Sequence, residues 1–217
     1  MRPALLTFDF FGTVLDWTRG LREALEAAGR PASAEVVERI IDWQGAAEQR
    51  APFRPYRDIA AASLVEVGGL SPAQADQVAA GLGRWPPFPD SAEGLRRLLR
   101  VAPCAAMTNS DRAHRAQVEA GLGLRLPAWF CAEELRLYKP AVGFWREVSV
   151  RLGVPFGPAW WHVSAYGDYD LATARALGLT CVFVERPHRR PGPHHLAVPD
   201  LRALADRVRA EPRGGGR

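Results

Sequence analysis

PALLTFDFFGT, residues 3–13, is an apolar run of six to eight residues that ends in a carboxylate, Asp9, and then in a turn built on Gly12. A short apolar run closed by a turn residue predicts a buried strand. Three later runs have the same character, Cys104 to Met107, Ala159 to Val163 and Thr180 to Val184. Helical patterns fall between them, at Ser91 to Arg100, Asp111 to Ala120, Val142 to Leu152 and Leu171 to Leu177. Strands and helices alternating at this spacing predict an α/β fold with a Rossmann-like parallel sheet and right-handed crossovers.

The stretch from Thr18 to about Gly83 breaks the alternation. It reads as helices near 19–28, 35–50, 56–67 and 72–82, punctuated by Pro31, Pro52, Pro55 and Gly68-Gly69. The expected organisation is therefore an α/β core from 1–16 and 86–210, a helical cap over 17–85, and a flexible tail over 211–217. WPPFPD at 85–90 leads back to the sheet, Pro187 to Pro199 reads as a loop, and Asp200 to Arg209 as a last helix.

The 217 residues are 47% hydrophobic and 24% charged, enough apolar material for a packed core and too little charge for general disorder. No apolar run reaches 18 residues, which excludes a membrane helix, and the N-terminus lacks the pattern of a secretory leader. Three widely spaced cysteines fit no metal-ligand spacing and point to a reducing, cytoplasmic setting. The net charge of +4 comes from arginines scattered through the helices, with no basic stripe carrying interleaved aromatics, so no nucleic-acid partner is expected. Arg186 to Arg190, the densest basic cluster, reads as solvated loop. Of the 28 basic residues a single one, Lys139, is lysine. A chain that writes its surface cations as arginine and keeps one lysine points to a position needing a compact ammonium.

In an open parallel sheet, ligands bind outside the carboxyl ends of the strands. Polar groups stand at those ends: Asp9 before Gly12 and Thr13, Thr108 with Asn109, Lys139, and the pair Asp168 and Asp170. A carboxylate beside a glycine turn can act as a nucleophile, with the turn's N–H groups free to hold an anion. A nearby lysine keeps that carboxylate ionised. A hydroxyl and an amide can orient a substrate, and a second carboxylate can activate water.

FDFFGTVLDW, MTNS, YKP and HVSAYGDYDLATARALGL, in that order, resemble the four motifs of the haloacid dehalogenase (HAD) superfamily, most closely its type II L-2-haloacid dehalogenase-like members. The likeness runs over nearly the whole chain, including an insertion where that superfamily carries a helical cap. It implies that Asp9 is the nucleophile, that Phe11, Gly12, Thr13, Thr108 and Asn109 meet the substrate, and that Lys139 balances charge at Asp9. Asp170 matches the final aspartate. It implies a small-molecule substrate, an aspartyl-enzyme intermediate and no cofactor; a homodimer is compatible with it.

Two departures matter. Phosphatases of the superfamily carry a proton-donating aspartate two residues after the nucleophile, where this chain has Phe11; loss of a general acid costs about 10²–10⁴-fold. Halide leaves without a proton, so hydrolytic dehalogenation of a small 2-haloacid is the expected activity. In the fourth motif Ala165-Tyr166-Gly167 replaces the dehalogenases' usual pattern. The alternatives are a Mg²⁺-dependent phosphatase, with Asp9, Asp168 and Asp170 as the metal ligands, and a non-catalytic binding protein on the same scaffold. A haloacid needs its carboxylate held, and Arg50, ahead of Arg54 and Arg57, is the cap arginine expected to do so. Phe11, Trp17, Phe53 and Trp145 are candidates for apolar lining, and His162 reads as a core histidine.

Overall fold

The computed structural model describes residues 2–212. Its centre is a parallel sheet of strand order β3-β2-β1-β4-β5-β6. The strands are β1 (Leu5–Phe8), β2 (Cys104–Thr108), β3 (Ala128–Cys131), β4 (Trp160–Ser164), β5 (Thr180–Val184) and β6 (Leu196–Val198). β1, β2 and β4 are buried along their whole length, as strands covered on both faces must be. Phe8 stands opposite Ala106 on one side and Val163 on the other. The chain runs outward from β1 through β2 to β3, then crosses back to β4 on the other flank of β1. The crevice where strand order reverses therefore opens at the carboxyl ends of β1 and β4.

Helices cover both faces. α5 (Ser91–Leu99), α6 (Arg112–Leu122) and α10 (Leu201–Ala210) pack over Leu6, Phe8, Ala106 and Val163. A short α7 (Ala132–Leu135), α8 (Val142–Leu152) and α9 (Ala172–Ala176) cover Leu5, Ala105, Met107 and Trp160. The expected α/β class and the four sequence-predicted strands are present. β3 and β6 add two that the sequence reading leaves out, and β6 lies inside the stretch read as a loop from Pro187 to Pro199.

Between β1 and α5 come α1 (Trp17–Ala27), α2 (Ala34–Glu48), α3 (Tyr56–Glu66) and α4 (Pro72–Ala79). They build an apolar cluster of their own around Leu21, Leu25, Ile40, Ile59 and Leu64. Asp16 and Ser33 cap α1 and α2 through their side chains, and Ser71 with Gln74 forms a capping box on α4. α3 takes its cap from the sheet side of the molecule. Asp111, which precedes α6, accepts from the Tyr56 N–H at 2.9 Å and the Arg57 N–H at 2.7 Å. One carboxylate thus satisfies two otherwise unpaired donors at a helix start and fastens the inserted helices over the strand ends. Of the tail expected over 211–217, residues 213–217 lie outside the described residues. Among the described residues no helix is long and apolar enough to cross a membrane.

Candidate active site

Asp9 follows β1 directly and is buried. Its two oxygens are held separately. Thr13 donates to Oδ2 at 2.7 Å, and Lys139 donates from Nζ to Oδ1 at 3.1 Å. The Thr13 hydroxyl also accepts from the Ala165 N–H at 2.9 Å, tying the end of β4 to the Asp9 carboxyl. Gly12 between them has φ +95°, and a Cβ there would lie 2.7 Å from Cε2 of the Tyr166 ring. Glycine is needed on both counts, backbone conformation and close approach.

The Lys139 ammonium is fully buried and bridges two carboxylates, reaching Asp170 Oδ2 at 2.9 Å. Asp170 sits on a single π-helical turn (Gly167–Leu171) between β4 and α9. Such wide turns recur at functional sites because they re-aim one side chain. Its Oδ2 also accepts from His162 Nε2 at 3.0 Å. Thr7 Oγ1 accepts from Trp160 Nε1 at 2.7 Å and bonds His162 Nδ1 at 2.8 Å, so the imidazole carries its proton on Nε2. His162 is the buried residue the sequence suggests, but it is also what orients Asp170. Asp170 Oδ1 is buried with no hydrogen-bond partner among the described residues.

Burial raises the Asp170 carboxyl, and the Lys139 ammonium and His162 overcome this, holding it well below the usual carboxylate range. Burial wins at Asp9: with the like charge of Asp170 it outweighs Lys139 and Thr13 and leaves the carboxyl above its ordinary value. The Lys139 ammonium is itself disfavoured by burial, but Asp170 and Asp9 more than restore it. The lysine is charged at every pH of interest, and the two carboxyls are driven apart by their surroundings.

Asn109 joins the elements. Its Oδ1 accepts from the Lys139 N–H at 2.8 Å, and its Nδ2 donates to the Lys139 carbonyl at 2.9 Å and to Glu48 Oε2 at 2.8 Å. Thr108 is buried at the end of β2, and its hydroxyl has no hydrogen-bond partner among the described residues.

Part of this set faces a cavity of about 320 Å³ between the strand ends and α2, whereas Thr13, Thr108, His162 and Asp170 are not among its lining residues. Asp9, Lys139 and Asn109 form its floor, Phe11, Trp17, Tyr56, Tyr166 and Tyr169 its aromatic wall, and Gln44, Glu48 and Gln49 of α2 and its end the opposite side. Phe11 and Trp17 line it as expected. Phe53 does not; it stacks on Tyr138 at 5.2 Å. Trp145 is fully buried beneath the sheet against His162, 4.7 Å between ring centres.

Arg50, Arg54 and Arg57 are exposed and do not reach the cavity. Arg50 follows α2 by two residues, beyond the turns that face the strand ends, and Arg57 is paired with Asp76 at 2.7 Å. The arginine at the cavity is Arg190, from the cluster expected to be solvated; it reaches across to α2, 2.8 Å from Asp42 and 3.6 Å from Glu38. The rest of that cluster departs further from the expectation. Arg186 is buried, paired with both oxygens of Asp90 at 2.7 and 2.9 Å, and donates to the Thr13 carbonyl at 2.9 Å. His188, kept neutral by burial, lies 2.8 Å from the Gly12 carbonyl oxygen and donates to it. The loop from 186 to 190 therefore braces the glycine turn.

The metal set Asp9, Asp168 and Asp170 does not fit a cation. Asp168 is exposed and turned onto the Tyr169 N–H at 3.0 Å. The space shared by the other two carboxylates holds the Lys139 ammonium. A hard divalent ion asks for several converging oxygens, and two of these three are already committed to a cation of the protein's own.

Comparison with family models finds no match, and neither does comparison with curated protein sequences. Solved structures do match. An L-2-haloacid dehalogenase shares 26% identity at TM-score 0.82, covering 97% of this chain and 100% of that one. A defluorinating L-2-haloacid dehalogenase shares 21% at TM-score 0.82, covering 96% of each chain. The L-2-haloacid dehalogenase of Xanthobacter autotrophicus, solved with chloropropionic acid covalently bound, shares 18% at TM-score 0.82, covering 97% of this chain and 100% of that one.

Proposed function

We propose that this chain, a HAD-superfamily protein of the L-2-haloacid dehalogenase-like type, hydrolyses the carbon–halogen bond of a small 2-haloacid through an aspartyl ester on Asp9. The observation that carries the reading is the ammonium of Lys139 between Asp9 and Asp170, beside a Phe11 that can supply no proton. A nucleophilic carboxylate, a fixed cation and a second carboxylate are present, and the side chain two residues after the nucleophile, Phe11, is no acid. That combination suits a leaving group that departs as a stable anion.

In the first half-reaction an Asp9 oxygen attacks the halogen-bearing carbon. The new C–O bond forms as the carbon–halogen bond breaks, and the bonding pair leaves with the halide. The aromatic wall of Phe11, Trp17 and Tyr166 keeps water from competing as nucleophile. In the second, water adds to the Asp9 ester carbonyl and gives its proton to Asp170 Oδ1, the oxygen with no protein partner. Lys139 faces the oxyanion that forms there. Collapse expels the 2-hydroxy acid as its alkoxide, which takes the proton back from Asp170, and Asp9 returns to the carboxylate by giving the remaining proton of the added water to solvent, so that one halide and one proton leave per turnover.

The test is halide release from L-2-chloropropionate by wild type and by Asp9→Asn, with and without EDTA. Release that ignores EDTA and is lost in the variant is the expected result. Release from neither protein, followed by Mg²⁺-dependent turnover of an aryl phosphate, would replace this reading with the phosphatase. If Asp9→Asn changed nothing, ligand-induced stabilisation included, catalysis through Asp9 would be excluded.

A further inference from the structure

We propose that Glu48 is a specificity-determining residue of this cavity, and that its carboxyl in the neutral form donates a hydrogen bond to the carboxylate of the bound acid. The proposal rests on the haloacid reading only for the chemistry of the ligand.

The cations at the cavity are already neutralised. Lys139 is bridged by Asp9 and Asp170, and Arg190 is paired with Asp42 and Glu38. Arg50, Arg54 and Arg57 lie elsewhere on the surface. An incoming carboxylate therefore meets no spare positive charge and needs a neutral donor. Gln44 is already occupied, donating to Ser63 at 2.8 Å and accepting from Tyr56 at 2.8 Å.

Glu48 is placed for the task. It is the last residue of α2, partly buried, and lines the cavity with Asp9 and Lys139. Its Oε2 is held by the Asn109 amide at 2.8 Å, which fixes the carboxyl over the strand ends. Its other oxygen, Oε1, has no hydrogen-bond partner among the described residues, and a proton there would be available to a ligand. The surroundings keep that proton on. Burial pushes the Glu48 carboxyl up to about 8, with Asp9 adding to the rise and Asn109 and Lys139 opposing it. The titratable groups that face it are Asp9, Lys139, Tyr56, Tyr138 and Tyr169. Burial pushes all three tyrosines further above their ordinary value, and Lys139 is raised too, so none of them loses a proton near pH 8. Burial also leaves the Asp9 carboxyl above its ordinary value.

A protonated carboxyl facing a carboxylate is a charge-assisted donor, and the pair comes apart when the proton leaves. Binding should then be strong below pH 8 and weaken about tenfold per pH unit above it, because the ligand selects the protonated form.

The experiment titrates the full chain with propionate, an unreactive carboxylate, following tryptophan fluorescence from pH 6 to 9.5; Trp17 in the cavity wall is the reporter. Wild type should lose affinity above pH 8. Glu48→Gln retains a neutral donor on the same stem and should bind at pH 9 with the affinity of wild type at pH 7. Glu48→Ala should bind at least tenfold more weakly at pH 7. An alkaline loss that persists in Glu48→Gln, propionate binding by Glu48→Ala as tight as by wild type, or no binding by wild type at pH 7 each overturns the proposal. The two readings fail separately. This pH pattern without halide release from L-2-chloropropionate keeps the role of Glu48 and removes dehalogenation, whereas halide release with pH-independent propionate binding does the reverse.

Discussion

Replacing Lys139 with methionine keeps the length and most of the volume of the side chain and removes one buried charge. The ammonium lies 3.1 Å from Asp9 and 2.9 Å from Asp170, with both partners buried. At an effective dielectric of about 20 each contact is worth roughly 5 kcal/mol of Coulomb attraction. Desolvation of three charged groups offsets most of that, so the intact cluster contributes little net stability. Removing one member is another matter, because two carboxylates are left buried without a cation, at a cost of about 3–5 kcal/mol.

The sign with pH follows from the carboxyls. In the wild type Asp170 is held below its ordinary range, so its contribution is present above the unfolded value near 4 and is lost as pH falls through the lower folded value. In Lys139→Met both carboxyls rise above their unfolded values. Each then contributes stability that is fully present below about pH 4 and is lost as pH rises through the raised folded value. The gap between the two proteins should be widest at neutral pH and narrow toward pH 4.5. Urea unfolding followed by tryptophan fluorescence and circular dichroism at pH 7.5 and 4.5 measures it. A gap below 1 kcal/mol at pH 7.5, or one of equal size at both pH values, would refute the reasoning. Halide release should fall at least 100-fold in the same variant.

The pH profile of kcat/KM for L-2-chloropropionate should be bell-shaped. Its acid limb, from ionisation of Asp9, should lie above the ordinary carboxylate value of 3.8, and its alkaline limb near 8 should vanish in Glu48→Gln; a flat profile from pH 5 to 9 contradicts both assignments. Gly12→Ala forces a side chain into the Tyr166 ring at a backbone conformation that disfavours it, and should cost about 2 kcal/mol or more in thermal unfolding. A second change, Tyr166→Ala, should recover part of that loss, and no recovery would place the strain elsewhere. His162→Asn loosens Asp170 without touching the cavity; a kcat lowered about tenfold or more at nearly constant KM is the expected signature, and a rise in KM alone would exclude a positioning role.

The parts legible in the sequence are those where chemistry and local pattern coincide. Asp9, Thr108 and the segment holding Asp170 each follow an apolar run, and parallel strands put the residue after such a run at the ligand end of the sheet. Lys139 was legible from composition. What stayed hidden depends on partners distant along the chain. β3 has four residues and runs straight into α7, and β6 has three in a proline- and histidine-rich stretch; only pairing with β2 and β5 makes them strands. The arginines from 186 to 190 read as solvent-facing because Asp90 and Asp42, which turn two of them inward, lie 96 and 148 residues away. Arg50 ends the helix expected over 35–50, and nothing local tells which side of that helix end meets the cavity. Glu48, two residues earlier, could have been found only by asking which carboxyl of α2 an asparagine at a strand end would reach.

The ion cluster at the centre of the molecule is joined by contacts 130 residues apart, from Lys139 to Asp9, and 31 apart, from Lys139 to Asp170. Closing so long a loop is an entropic cost met before any reward arrives, and until all three groups are present each would be a buried charge without a partner. During synthesis Asp9 leaves the ribosome long before the lysine that balances it. The first strand must therefore wait, with its carboxylate still wet, until Lys139 has emerged. Closure of the ion cluster thus reports that the chain has folded as far as Asp170, with β5 and β6 still to follow in sequence, and a chain cut before Lys139 would have strong reason to leave Asp9 in water.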